Sequence, residues 1–205
     1  MEFDPTTQRS PGYPPRRVVP PAAAKLRILA TADRLFYEEG IRSVGIDRLI
    51  SESEVTKATF YKHYGSKDRL IVAYVVGRDR SAQQSLGEIV ERAAGPYEAL
   101  TGIVDAIVED TQGPGFRGCA FINAAAEFGE AGHPVRLAVT EHREWFTELL
   151  AGLLQELGHP LPGDAADDLV LARDGAMTGS YAGDSIAAAA AFQRASGRIL
   201  AEARN

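Results

Sequence analysis

Twelve residues, Thr56-Lys57-Ala58-Thr59-Phe60-Tyr61-Lys62-His63-Tyr64-Gly65-Ser66-Lys67, gather hydroxyl, ammonium, phenol and imidazole groups at helical spacing. Such groups bond phosphate oxygens, and small or polar residues in the first turn of a helix let it reach base edges in a DNA major groove. Lys57, Ala58 and Thr59 suit the base-facing role, and Tyr61, Lys62 and His63 suit phosphate contact. Lys67 follows Ser66 at the start of a further helix, where the positive end of the helix adds to its charge. Taken singly, Tyr61 and His63 are ordinary surface groups on a small bundle. The set gains weight from what precedes it: Ile46, Leu49, Ile50, Val55 and Phe60 can lock two short helices at the steep angle of a helix-turn-helix.

A second group lies further along. Phe121, Phe128, Trp145, Phe146 and Tyr181 can wall an apolar cavity, with Asn123, Glu127, His142 and Arg143 as orienting groups for a small molecule. Each of these alone is more ordinarily core packing or a solvated face. Cys119 sits in Arg117-Gly118-Cys119-Ala120-Phe121, after a Gly-rich turn and near an expected helix start, where a thiolate is favoured and could act as a redox or electrophile sensor. The commoner role of a lone cysteine is small-residue packing. His133 and His142 are nine apart, and His142 is expected on a polar face with Glu141 and Glu144. Metal ligands would have to converge from several helices, so no metal is expected. Gly179-Ser180-Tyr181-Ala182-Gly183 lacks the GxSxG order, and no P-loop occurs; no catalytic residue and no cofactor are expected.

The elements that must position these residues are helical. Ile28, Leu29, Ala32, Leu35 and Phe36 share one face of a first helix of about 18 residues stopped by Gly40. A short helix around Ile46–Ile50, one capped by Thr56, and a long one capped by Ser66 follow. Gly95-Pro96 opens a fifth and Gly113-Pro114-Gly115 ends it; residues 117–130 read as helical, and Pro134 opens a helix running to Gly158. Segments 164–181 and 184–203 are Ala-rich and apolar on more than one face, which asks for a partner surface. No strand alternation stands out. The expected fold is all-α with about nine helices: a proline-rich arm (1–21), a helix-turn-helix domain (22–70) and a larger helical ligand-binding and dimerisation domain (71–205).

Charge sharpens this division. The 205 residues carry a net charge of −6, which by itself disfavours a polyanionic partner. Residues 22–70, however, hold nine Lys or Arg against seven Asp or Glu, including every lysine in the chain, whereas residues 71–205 hold ten Arg against nineteen acids. One cysteine excludes an intrachain disulfide, and the N-terminus lacks the basic-then-apolar order of a signal peptide. The longest apolar run, Ile186–Phe192, is far short of the roughly 18 residues of a membrane span, so a cytoplasmic protein with no membrane partner is expected.

From Arg27 to Leu70 the chain resembles the TetR family of transcriptional regulators. The matching residues are Arg27-Ile28-Leu29, Ala32, Leu35-Phe36, Gly40-Ile41, Val55 to Thr59, Phe60 to Tyr64 and Ser66 to Leu70. The resemblance implies a homodimer that binds a double-stranded DNA operator and a small-molecule effector, most often as a repressor. It also implies that Lys57, Ala58 and Thr59 face bases while Tyr61, Lys62, His63 and Lys67 hold phosphates. Two residues depart from the family pattern. Val44 stands where a capping Thr is usual, leaving a backbone N–H or Ser43 to substitute, and Glu54 stands where the turn usually has Gly. The rival reading is a helical small-molecule-binding protein or enzyme with a non-functional helix-turn-helix.

Overall fold

The computed structural model describes residues 21–203, in which nine helices and no strand are found. The expected arm lies outside the described residues, except that Pro21 opens the first helix. The helices are α1 (Pro21–Glu39), α2 (Ile46–Glu52), α3 (Lys57–Tyr64), α4 (Lys67–Arg92), α5 (Pro96–Gln112), α6 (Ala120–Glu127), α7 (Pro134–Leu157), α8 (Pro162–Ala182) and α9 (Ser185–Glu202).

Helices α1–α3 and the first turns of α4 form a head around Ile28, Ala32, Leu35, Phe36, Val44, Leu49, Phe60 and Leu70. Local chemistry sets its boundaries. Gly40 takes φ +89 as its N–H bonds the Phe36 carbonyl, which ends α1. Thr56 accepts from the Thr59 N–H at 3.1 Å and opens α3; Gly65, at φ +74, closes it. Ser66 accepts from the Arg69 N–H and starts α4. Arg27 of α1 holds the turn between α2 and α3, its Nε donating to the Ser53 carbonyl and its Nη2 to that of Glu54.

The two departures from the family pattern resolve differently. The N-cap of α2 is Gly45, with no side-chain cap bond, so the capping position falls one residue after Val44. Val44 is instead fully buried, and Ser43 does not substitute because its hydroxyl donates to the Glu39 carbonyl. Glu54 takes φ +52, the left-handed conformation that glycine adopts without cost.

Helix α4, 26 residues and so about 39 Å long, runs from the head into the body. Its Leu70, Ile71 and Tyr74 belong to the buried core at the head end, and Leu86, Ile89 and Val90 pack against the core further along. Helices α5–α9 complete the body. The helix expected over 117–130 is confined to Ala120–Glu127, because Gly118 sits at φ +82 and the backbone becomes extended at Phe128. Helices α8 and α9 pack closely; a Cβ on Gly179 would lie 3.2 Å from that of Ala188. Their outer faces leave Leu171 66% and Ile186 74% exposed.

Candidate nucleic-acid interface and body cavity

Helix α3 buries Phe60 and Tyr64 and turns the rest outward. Phe60 is fully buried, and the Tyr64 hydroxyl donates to the Lys25 carbonyl at 3.0 Å, fixing α3 against α1. Lys57, Ala58, Tyr61 and Lys62 are exposed at i, i+1, i+4 and i+5, a spacing that places them on one face; Thr59 and His63 are half-buried. The Thr59 hydroxyl shares a 2.8 Å bond with that of Thr56. Lys67 differs from the rest: its ammonium donates to the Ile41 carbonyl at 2.7 Å and lies 5.8 Å from the Phe36 ring centre. Burial lowers its pKa from the ordinary lysine value against the opposing pull of Glu127 and Asp68.

The body contains a cavity of about 510 Å³ that is partly open to solvent, within the usual range for small-molecule sites. Leu86, Ala106, Ile107, Phe121, Phe146 and Met177 supply apolar wall; Tyr37, Arg78, Asp110, Cys119, His142 and Arg173 supply polar groups. Of the residues expected from sequence, Cys119, Phe121, His142 and Phe146 meet there.

The others, Arg143 among them, are separated from it. Asn123, Glu127 and Tyr181 border a smaller cleft of about 260 Å³ between the α1–α2 turn and α6. Asn123 Nδ2 donates to the Arg117 carbonyl, and both Glu127 oxygens are occupied, accepting at 2.7 Å from the N–H groups of Ile41 and Arg42. Glu127 thus ties the body to the head rather than facing the larger cavity. Trp145 borders neither space and tilts against His142 and Phe146. Phe128, also expected in the wall, stacks on His133 with ring centres 4.3 Å apart.

His142 is buried, not on a polar face with Glu141 and Glu144, which are exposed. Its Nδ1 lies 2.8 Å from Asp79 of α4, and its ring stacks on Phe121 with centres 3.5 Å apart and planes at 9°. Burial lowers its pKa from the ordinary histidine value, more than Asp79 raises it. Arg173 donates through Nη1 to Cys119 Sγ at 3.1 Å and to Asp174 at 2.9 Å; the second Asp174 oxygen accepts from Arg143 at 2.6 Å. Arg78 makes a two-pronged pair with Asp33 of α1 and lies 4.6 Å from the Tyr37 ring centre. Burial raises the Asp110 carboxyl above its ordinary pKa, with Arg173 and Arg78 opposing. No group of three or more His, Cys, Asp or Glu arranged to hold a metal occurs among the described residues.

Sequence reasoning missed Tyr37, Arg78, Asp110 and Arg173. Arg173-Asp174 stands out as a charged pair within the Ala-rich, apolar α8, and that was the available signal.

A helix-turn-helix head with a polar outer face, joined by one long helix to a hollow helical body, defines a class of DNA-binding regulators. Residues 28–74 match the family described as "Bacterial regulatory proteins, tetR family". SCO4454 of Streptomyces coelicolor, a TetR-family transcriptional regulator of solved structure, is 38% identical over 90% of this chain and 97% of its own, with a TM-score of 0.86. The chain belongs to the TetR family of transcriptional regulators. Curated relatives include the transcriptional repressor NemR of Escherichia coli, 25% identical over 130 residues, and the transcriptional regulator LmrA of Bacillus subtilis, 27% identical over 127 residues. Those matches cover 62% and 58% of this chain and 65% of each relative, just under two thirds of the relatives' length. Among the described residues no helix is long and apolar enough to cross a membrane.

Proposed function

We propose that the protein is a cytoplasmic, ligand-responsive repressor that binds a palindromic operator as a homodimer and is released when a small molecule fills the body cavity. The observation that carries this reading is that cavity and head share α4. Arg78, Ser81, Ala82, Ser85 and Leu86 border the cavity, while Leu70, Ile71 and Tyr74 of the same helix lie in the buried core at the head end. An occupant that fits better when α4 is displaced shifts the population toward that arrangement and weakens operator binding by the same coupling energy. In the bound form two α3 helices enter successive major grooves about 34–36 Å apart. Lys57, Ala58 and Thr59 read base edges; Tyr61, Lys62, His63 and Lys67 hold phosphates, Lys67 exchanging the Ile41 carbonyl for a phosphate oxygen. Exposed Leu171 and Ile186 on α8 and α9 favour pairing through these helices, and NemR supports the repressor sign.

Fluorescence anisotropy with DNA from the neighbouring promoter, at rising salt, tests this reading. Specific binding that weakens steeply with salt is expected, and Lys62→Ala should shallow the log–log slope by about one unit. Absence of any specific site, together with turnover of a bound metabolite, would favour a helical enzyme or carrier with a non-functional helix-turn-helix.

The Arg173 contact favours a second reading, in which Cys119 is a redox or electrophile sensor. A guanidinium beside sulfur stabilises negative charge developing there. The sulfur then adds to the β-carbon of an α,β-unsaturated carbonyl, and the thiol proton ends on the α-carbon. Operator release by N-ethylmaleimide in the wild type but not in Cys119→Ser is expected; unchanged operator affinity after alkylation sinks this reading.

A further inference from the structure

We infer that the cavity's occupant is an organic anion, a carboxylate on an apolar body, held by Arg173. This deepens, and rests on, the proposal that the cavity is the effector site. The Arg173 side chain is 14% exposed, yet only Nη1 is used, by Cys119 and Asp174. Among the described residues Nε and Nη2 donate to no protein group. Neither nitrogen is among the buried polar atoms that lack a partner, so both stay open to solvent, and their adjacent N–H bonds match the two oxygens of a carboxylate. Asp174 meets the guanidinium at Nη1 and turns its other oxygen to Arg143, leaving that edge uncovered.

The cavity wall contains Arg78, Arg173 and the carboxyl of Asp110, and Asp33 and Asp174 pair with the two arginines from outside the wall. Arg78 is engaged on two nitrogens by Asp33, which leaves Arg173 with the free edge. Leu86, Ala106, Ile107, Phe121 and Met177 form the apolar part of the wall that the body of such a molecule would cover.

Isothermal titration of the full-length protein with 4-phenylbutyrate, 4-phenylbutanamide and 4-phenylbutylamine tests this, because the three share one body and differ in head charge. The acid should bind at least tenfold more tightly than the other two, and Arg173→Gln should remove that preference. Should Arg173→Gln lose the wild-type circular dichroism and melting curve, Arg173→Lys carries the test: it keeps the charge, lacks the paired N–H edge and should cut the preference. Equal or tighter binding of the amide or amine overturns the anion assignment, as does an undiminished preference in a folded Arg173 variant, or no binding of any probe. Ala106→Trp, which fills the cavity, separates the two levels. Equal binding of all three that Ala106→Trp abolishes overturns the anion and leaves the effector site standing. Binding that Ala106→Trp does not change overturns both.

Discussion

Helices α1–α3 close around side chains with no exposure at all, among them Ile28, Leu35, Leu49 and Phe60, and carry their chemistry on the outside. The body does the reverse: α4, α5, α7, α8 and the segment before α6 line a space of about 510 Å³ and turn arginine, histidine and cysteine toward it. A solid head can hold a surface in one geometry for a rigid partner. A hollow body keeps polar groups partly matched, and that unmet bonding capacity is what a ligand can supply. The two regions therefore differ in how they should respond to damage.

The largest difference is expected from deleting rings. Phe60→Ala should cost the head about 3–5 kcal/mol, because tightly packed neighbours cannot close the void, whereas Phe146→Ala enlarges an existing cavity and should fall at or below the lower end of that range. Urea denaturation measures both, and equal losses would break the contrast. Next comes the joint between the regions. Glu127→Ala strands the N–H group of Ile41, while that of Arg42 turns to water, and should cost about 1–3 kcal/mol while weakening the effect of cavity ligands on operator affinity. Operator affinity measured with and without ligand checks the second part.

A smaller effect of opposite sign is expected at the turn. Glu54→Gly relieves the left-handed backbone and should stabilise the head by about 1 kcal/mol, visible as a raised melting temperature. The smallest effect is a pH response of the body. Burial holds the folded-state pKa of His142 below its ordinary 6.5, so the unfolded chain takes up the proton first as pH falls. The associated stability is complete above that value and declines below it. Denaturation of the wild type and His142→Gln at several pH values should show the decline to be shallower in the variant.

What could be read in the sequence divides along the same line. The head's devices are local: Thr56 bonds three residues ahead, Ser66 does the same, and Gly40 and Gly65 mark left-handed turns. Residue type and short spacing announce each of these, and Pro96 and Pro134 announce helix starts in the body equally well. The cavity's polar contacts instead join residues far apart in sequence, as with Arg173 and Cys119 or His142 and Asp79, so no short window contains them. His142 was nonetheless legible. Its acidic neighbours suggest a solvated face, but Ala138, Val139, His142 and Phe146 follow the helical repeat of buried positions, and periodicity outweighs neighbours. Glu127 carried no comparable sign, because its partners are backbone groups of a turn some 85 residues earlier.

The small residues in the middle of the α4 stretch at the cavity have an evolutionary consequence. Between Arg78 and Leu86, Ser81, Ala82 and Ser85 contribute little side chain, while most of the remaining wall comes from α5, α6, α7, α8 and the segment before α6. Under the proposed function, substitutions on those elements would retune which molecule is recognised without altering the helix that joins the cavity to the head. Descendants of a chain working in that way would acquire new inducers while inheriting an unchanged transmission.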